Sequence, residues 1–322
     1  MQTVTLARHA MATRFELVLR GENSVGLQAA GEEALDEIDR LENQLSLYRP
    51  GSEIAQLNAR AAREPVLVSP EVFSLLQHAQ KLSDETGGAF DITIAPLVRC
   101  WGFMGGTGKM PTPEEVAAAR ELVGMHNVLL NEASRTVRFA REGVMLDLGA
   151  IGKGYAVEQA AKILREAGVE SALIHGGTST VYAIGQPPDC EAWKIAIEQP
   201  AVGACHSTSA PSELPTVLLH DEAMSVSAIS GRAFQADKKY FGHVIDPRTG
   251  QPTEAALLSV VVLPSATETD ALSTALLTLG AEGHERIARL RQNMRTLLLA
   301  REANGVKMEA HRFFPEAADL HR

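Results

Sequence analysis

Three clusters of polar residues in this chain have the types and spacing that chemistry needs. The first is Asp147-Leu148-Gly149-Ala150-Ile151-Gly152-Lys153-Gly154-Tyr155. A carboxylate sits late in an apolar run that begins at Val144. Glycines at 149, 152 and 154 permit close backbone approach and positive φ. Apolar residues at helical spacing follow from Tyr155 to Ala167. The order predicts a buried strand, a tight turn and a helix. The free N–H groups of a helix N-terminus form an anion site, and Lys153 adds a cation there. A structural turn with a surface lysine fits the same pattern, because short glycine motifs match by chance.

The second cluster is Gly242-His243-Val244-Ile245-Asp246-Pro247-Arg248-Thr249-Gly250. Here the expectation is that His243 opens an apolar strand and Asp246 closes it at a Pro/Gly turn. An imidazole near neutral pH suits a general base. Taken alone, a histidine beside Val and Ile is more often a satisfied structural residue. The third cluster is Thr269-Asp270-Ala271-Leu272-Ser273-Thr274-Ala275. Asp270 and Thr274 fall one helical turn apart, so carboxylate and hydroxyl share a face. At a helix N-terminus that pair offers oxygen ligands to a hard cation such as Mg²⁺. An N-cap aspartate with an incidental threonine is the simpler alternative.

The elements that must position these clusters are legible in outline. Residues 15–20 alternate as a strand, and 24–47 read as a long helix with Leu35, Ile38, Leu41 and Leu45 on its buried face. Ser52 caps a short helix, and Pro70 starts another that Gly87-Gly88 ends. Residues 105–112 are a loop, 113–123 a helix, and 127–130 with 136–139 a hairpin. Strands follow at 171–175, 181–184, 193–197, 216–220, 223–227, 240–246 and 257–263, with a loop at 201–215 and a turn at 230–231. Helices at 270–279 and 282–291, a strand at 296–299 and a mobile tail from about 313 complete the chain. No repeat or linker appears, so residues 1–322 are expected to form a single α+β domain on a largely antiparallel sheet.

Composition narrows the functional classes. Of 322 residues, 45% are apolar and 22% charged, which allows a sizeable core. A net charge of −10 without a Lys/Arg run argues against nucleic-acid binding. Cys100, Cys190 and Cys205 are scattered, so neither a disulfide framework nor a zinc site is expected. No apolar run is long enough to span a bilayer. No leader is visible, so the expected compartment is the cytoplasm on the sequence given, or the periplasm or a membrane anchor if a leader was removed.

Taken together the motifs resemble one family. Met11-Ala12-Thr13, Tyr48 followed by Ser52-Glu53-Ile54 and Asn58, Gly88-Ala89-Phe90-Asp91, the glycine turn, the His243 segment and Asp270-Ala271-Leu272-Ser273-Thr274-Ala275 occur in the order of the ApbE family of flavin transferases, the FAD:protein FMN transferases. The resemblance implies a T-fold-like architecture, FAD as substrate and Mg²⁺ as cofactor. It implies transfer of FMN from FAD to a Thr or Ser of an acceptor flavoprotein, releasing AMP. Matched residue by residue, Met11, Tyr48, Ala89, Phe90, Asp91, Asp147, Lys153, Val244 and Ser273 would line FAD. The Ala150 carbonyl, Asp270 and Thr274 would hold the metal, and His243 would be the base. Tyr48, at a loop edge, offers an aromatic face to the flavin ring. The chain departs from the family pattern at Thr178-Ser179, after Gly176-Gly177, and at Ala228-Ile229-Ser230-Gly231. An FAD-storage protein or an Mg²⁺-dependent FAD pyrophosphatase giving FMN and AMP are the alternatives that the same site would serve.

Overall fold

The computed structural model describes residues 1–198, 214–229, 231–236, 239–302 and 305–314. Its strands are β1 (Gln2–Ala10), β2 (Thr13–Gly21), β3 (Val66–Leu67), β4 (Val128–Asn131), β5 (Thr136–Phe139), β6 (Ser171–Gly176), β7 (Thr180–Ile184), β8 (Trp193–Ala196), β9 (Thr216–Leu219), β10 (Ala223–Ala228), β11 (Ala233–Ala236), β12 (Lys239–Gly242), β13 (Ala256–Leu263), β14 (Arg295–Glu302) and β15 (Gly305–His311). The α-helices are α1 (Ser24–Leu45), α2 (Glu53–Arg60), α3 (Pro70–Thr86), α4 (Ala95–Cys100), α5 (Pro113–Arg120), α6 (Gly152–Glu166) and α7 (Ala266–Ala288). Most of the expected loop at 201–215, Ser230 of the expected turn, Cys205 and the tail beyond 314 lie outside the described residues.

Eight strands form one sheet in the order β1-β2-β6-β7-β10-β13-β14-β15, and every neighbouring pair is antiparallel. The helices α1, α6 and α7 pack on one face. The apolar stripe of α1, with Leu27, Leu35, Ile38 and Leu41 at helical spacing, buries against β1, β2 and α6. The other face is covered by the β8–β9 hairpin, whose Trp193, Ile195 and Val217 meet Leu173, Met224 and Val260. Because both faces of β13 are covered, all of its residues are buried, and its sequence is an unbroken apolar run apart from Ser259. A third, smaller cluster joins α4 and α5 to the β11–β12 hairpin through Trp101, Phe103, Phe234 and Phe241.

The mixed antiparallel architecture agrees with the expectation, and four local expectations do not. Residues 144–148 form no strand. Asn58 replaces the missing neighbour: its Nδ2 donates to the Leu146 carbonyl at 3.0 Å and its Oδ1 accepts from the Leu146 N–H at 2.7 Å. None of Gly149, Gly152 and Gly154 adopts positive φ. Only at Gly154 is the missing side chain demanded, since a Cβ there would run into the Ala266 carbonyl and lie 2.7 Å from the Asp270 Cβ. His243 does not open a strand; β12 ends at Gly242, and only an isolated bridge, Ile245 to Pro252, follows. The helix carrying Asp270 begins earlier, at Ala266 with Ser265 as its cap, and continues to Ala288 with a break at Gly280. Asp270 is therefore not a capping residue. The strands β1, β3, β11 and β15 and the helix α4 were not expected from the sequence.

Candidate functional site

All the expected site residues but Ser273 line one cavity of about 930 Å³. It lies where the sheet loosens: β7 pairs with β10 only over Ala223–Ser225, and the β6–β7 turn at 177–179 borders the opening.

One wall is made by helices. α6 begins at Gly152 without a side-chain cap, and the Gly154 N–H donates to Asp270 Oδ2 at 2.9 Å. Glu158 of α6 in turn accepts from the Ser265 hydroxyl at 2.7 Å and the Thr267 N–H at 2.8 Å, so one helix caps the other. These bonds lock the glycine turn against Asp270. The second Asp270 oxygen, Oδ1, has no hydrogen-bond partner among the described residues, although the residue is only 4% exposed. The Thr274 hydroxyl donates to the Asp270 carbonyl at 3.2 Å and lies 3.3 Å from the Ser227 hydroxyl. Ser273 stands behind this lining, its hydroxyl 2.9 Å from that of Ser227. Ala150, half-buried, borders the cavity at the turn before α6. Among the described residues no three His, Cys, Asp or Glu side chains converge. A cation here would rest on Asp270, the Thr274 hydroxyl and the Ala150 carbonyl, an all-oxygen set that fits a hard ion taking its remaining ligands from substrate and water.

Asp147 and Lys153 occupy the turn itself. Asp147 Oδ1 accepts from the Gly149 N–H at 2.8 Å, and the Asp147 N–H donates to the Ile92 carbonyl at 2.7 Å. Burial pushes its carboxyl above the ordinary range, against the pull of that hydrogen bond and of Arg232 and Lys153. Lys153 Nζ reaches the Gly149 carbonyl at 3.2 Å, without a carboxylate partner among the described residues. Asp91 is differently used. Its two oxygens accept from the Thr93 N–H (2.8 Å), the Thr93 hydroxyl (2.5 Å), the Met125 N–H (3.1 Å) and the Ser83 hydroxyl (3.3 Å). It fixes the Ala89–Phe90 wall, and burial still raises its pKa.

The opposite rim is thinner. Met11 and Ala12 form the two-residue turn between β1 and β2 with φ of 49° and 58°. Both central residues of such a turn need positive φ, which non-glycine residues resist by roughly 1–2 kcal/mol each. Met11 is thereby held at the cavity. Tyr48 is 62% exposed at the edge, its phenol raised by partial burial and by Asp147. His243 follows β12, and its Nδ1 lies 3.2 Å from the Arg232 carbonyl. A carbonyl only accepts, so Nδ1 carries the proton and the lone pair of the neutral ring is on Nε2. Burial first, then Arg232 and Lys153, hold its pKa below the ordinary value. The ring is therefore neutral at pH 7, as a base must be.

Sequence reasoning missed Arg232 and His175, both of which line the cavity. Arg232 follows a glycine in a segment with no periodic signal, and His175 reads as an ordinary strand end. The Asp246–Arg248 pair, by contrast, closes on itself at 2.7 Å and builds the turn after Val244 and Ile245.

The chain is similar to known proteins both in sequence and in fold. The sequence profile of the ApbE family matches residues 11–298. The chain is 29% identical to the FAD:protein FMN transferase of Haemophilus influenzae, over 94% of this chain and 88% of that one. It is 31% identical to the enzyme of the same name from Vibrio cholerae, over 86% and 82%. Among solved structures, an ApbE protein of Thermotoga maritima superimposes with a TM-score of 0.86 at 26% identity, covering 98% of this chain and all of that one. The flavinyl transferase ApbE of Pseudomonas stutzeri gives 0.82 at 28%, covering 97% and 95%.

Proposed function

The chain belongs to the ApbE family, and from that premise we propose that its cavity binds FAD and transfers the FMN moiety to a Thr or Ser hydroxyl of an acceptor protein, releasing AMP. The observation that carries this reading is the convergence in one cavity of the Asp270 carboxylate with the Thr274 hydroxyl, of Lys153 at a helix N-terminus and of an imidazole whose Nε2 has no partner among the described residues.

The chemistry follows from these groups. The Lys153 ammonium and the Lys153 N–H, which has no partner among the described residues while the N–H groups of Gly152, Gly154 and Tyr155 are bonded, receive the pyrophosphate oxygens of FAD. Met11, Tyr48, Ala89, Phe90 and Val244 line the cavity as apolar and aromatic surface for the ring system, with Asp147 at the turn and Ser273 supporting Ser227 from behind. Asp270, Thr274 and the Ala150 carbonyl are the residues that would hold Mg²⁺. A divalent ion there withdraws charge from phosphate oxygens. The acceptor hydroxyl gives its proton to His243 Nε2. Its oxygen bonds to the FMN phosphorus, the phosphoanhydride P–O bond breaks, and AMP leaves with the electron pair and is then protonated. A neutral hydroxyl is a weak nucleophile without such a base, and positioning with charge neutralisation supplies most of the remaining acceleration in phosphoryl transfer.

The test is incubation with FAD and Mg²⁺, with and without an acceptor flavoprotein, followed by AMP quantification and in-gel flavin fluorescence. AMP formed together with a fluorescent acceptor is expected. AMP and free FMN in equal amount whether or not an acceptor is present would instead identify a pyrophosphatase.

A further inference from the structure

Arg232 is given no role by the motifs, yet it borders the cavity from the hairpin side, immediately before β11. Its Nη1 donates to the Phe103 carbonyl at 3.1 Å, which anchors one arm of the guanidinium on the aromatic cluster. The remaining N–H groups have no protein acceptor, and no carboxylate pairs with it, among the described residues. The preceding Gly231, at φ 145°, passes so close to the base that a Cβ there would lie 3.2 Å from His243 Cε1. The Arg232 carbonyl accepts from the His243 N–H at 3.0 Å and faces Nδ1 at 3.2 Å.

We propose that Arg232 is a pyrophosphate-binding and specificity-determining residue of this cavity, its guanidinium holding the phosphate oxygens of a flavin dinucleotide from the hairpin side while Lys153 and the α6 N-terminus hold them from the helix side. The inference rests on the reading of the cavity as an FAD site. A guanidinium presents parallel N–H donors that match two phosphate oxygens, which an ammonium cannot do. Its anchor on Phe103 pre-organises that fork, so little side-chain freedom is lost on binding. One residue then does two things: its main chain fixes the tautomer of the base, and its side chain seats the group that the base's reaction cleaves. Arg232 also joins Lys153 in suppressing protonation of His243. Because the guanidinium meets only the phosphate bridge, it distinguishes FAD from flavins that lack one.

The test uses the full chain with Arg232→Gln and Arg232→Lys, both of which retain the main-chain carbonyl that orients His243. Titration with FAD and with riboflavin reads the pyrophosphate contact separately from the ring contact. Arg232→Gln is expected to weaken FAD by roughly 10- to 100-fold, the size of a charge-assisted contact, and to leave riboflavin affinity unchanged. Arg232→Lys is expected to recover part of the loss. Wild-type FAD affinity in Arg232→Gln, or an equal loss for FAD and riboflavin, would overturn the role of Arg232 while leaving the cavity an FAD site. A wild-type chain that binds no FAD would overturn both readings.

Discussion

The cavity has two walls built on different principles. The helix wall places Asp270, Thr274, Lys153 and Gly154 on α6 and α7, whose apolar residues belong to the main core. There the Gly154 N–H and Glu158 tie one helix to the other. The hairpin wall carries Arg232, His243 and Val244 beside β11 and β12, in which no residue is fully buried and exposed positions are mixed with partly buried ones. What holds that wall is a stack of rings, Phe234 on Phe241 at 5.3 Å between centroids, Phe241 on Trp101 at 5.6 Å and Phe234 near Phe103 at 5.8 Å. The lesson is a division of labour. The groups that fix charge stand on a deeply packed frame. His243, the proposed base, stands beside a lighter element supported by one aromatic cluster, and that element is expected to open independently of the core.

The comparison breaks most severely at Asp270. Asp270→Asn keeps an acceptor for the Gly154 N–H and removes the charge assigned to the cation. Turnover is expected to fall on the order of 10³-fold, the rate equivalent of several kcal/mol of charge stabilisation, with a nearly unchanged melting temperature. AMP release and a thermal melt on the same preparation check this. Next in size is a pair of glycines on the same wall. Gly154→Ala forces a Cβ into the Ala266 carbonyl and is expected to destabilise the fold by about 1–3 kcal/mol. Gly152→Ala, whose nearest neighbour is the Leu148 Cβ at 3.8 Å, is expected to be neutral or to stabilise by up to about 1 kcal/mol. Urea unfolding of both variants reads the contrast, and equal effects would contradict it.

A smaller effect belongs to the hairpin wall. The imidazolium of His243 is disfavoured by burial and by two cations, so its pKa lies below the usual 6.5. The working form is the neutral ring. Transfer is therefore expected to rise with pH through a limb below 6.5 and stay flat above it. A pH–rate profile with its limb at or above 6.5 would contradict the environment described for His243. The smallest effect on global stability is expected for Phe234→Ala. Hydrogen exchange should quicken at the β12 amides and remain slow in β13, because the ring supports the hairpin and not the central sheet. Equal acceleration in both strands would show that the two walls are not independent.

How much was legible in the sequence differs between the same two walls. α1, α3 and α6 announce themselves by apolar spacing, by Pro70 and by Gly87, which caps α3 at φ 64°. The glycine turn was recognisable, yet the reason for Gly154 was not, because the atoms it avoids belong to a helix more than a hundred positions away. Residues 144–148 look like a strand since apolar runs do not say what pairs with them; here the partner is the side chain of Asn58. The hairpin wall was half visible. The His243 segment carries a distinctive run of residues, whereas β11 is short and exposed and lacks a regular pattern, so Arg232 went unnoticed beside it. The edge strands β1 and β15 escaped for the same reason: with few buried positions, alternation leaves a faint trace.

The most direct test of the central claim pairs two readings on His243→Ala: FAD retained after gel filtration, and the mass of an acceptor flavoprotein after incubation with FAD and Mg²⁺. A base acts only as the reaction proceeds, so FAD is expected to remain bound while the FMN adduct forms on the order of 10²- to 10⁴-fold more slowly. An acceptor that gains the mass of FMN at the wild-type rate would contradict the account.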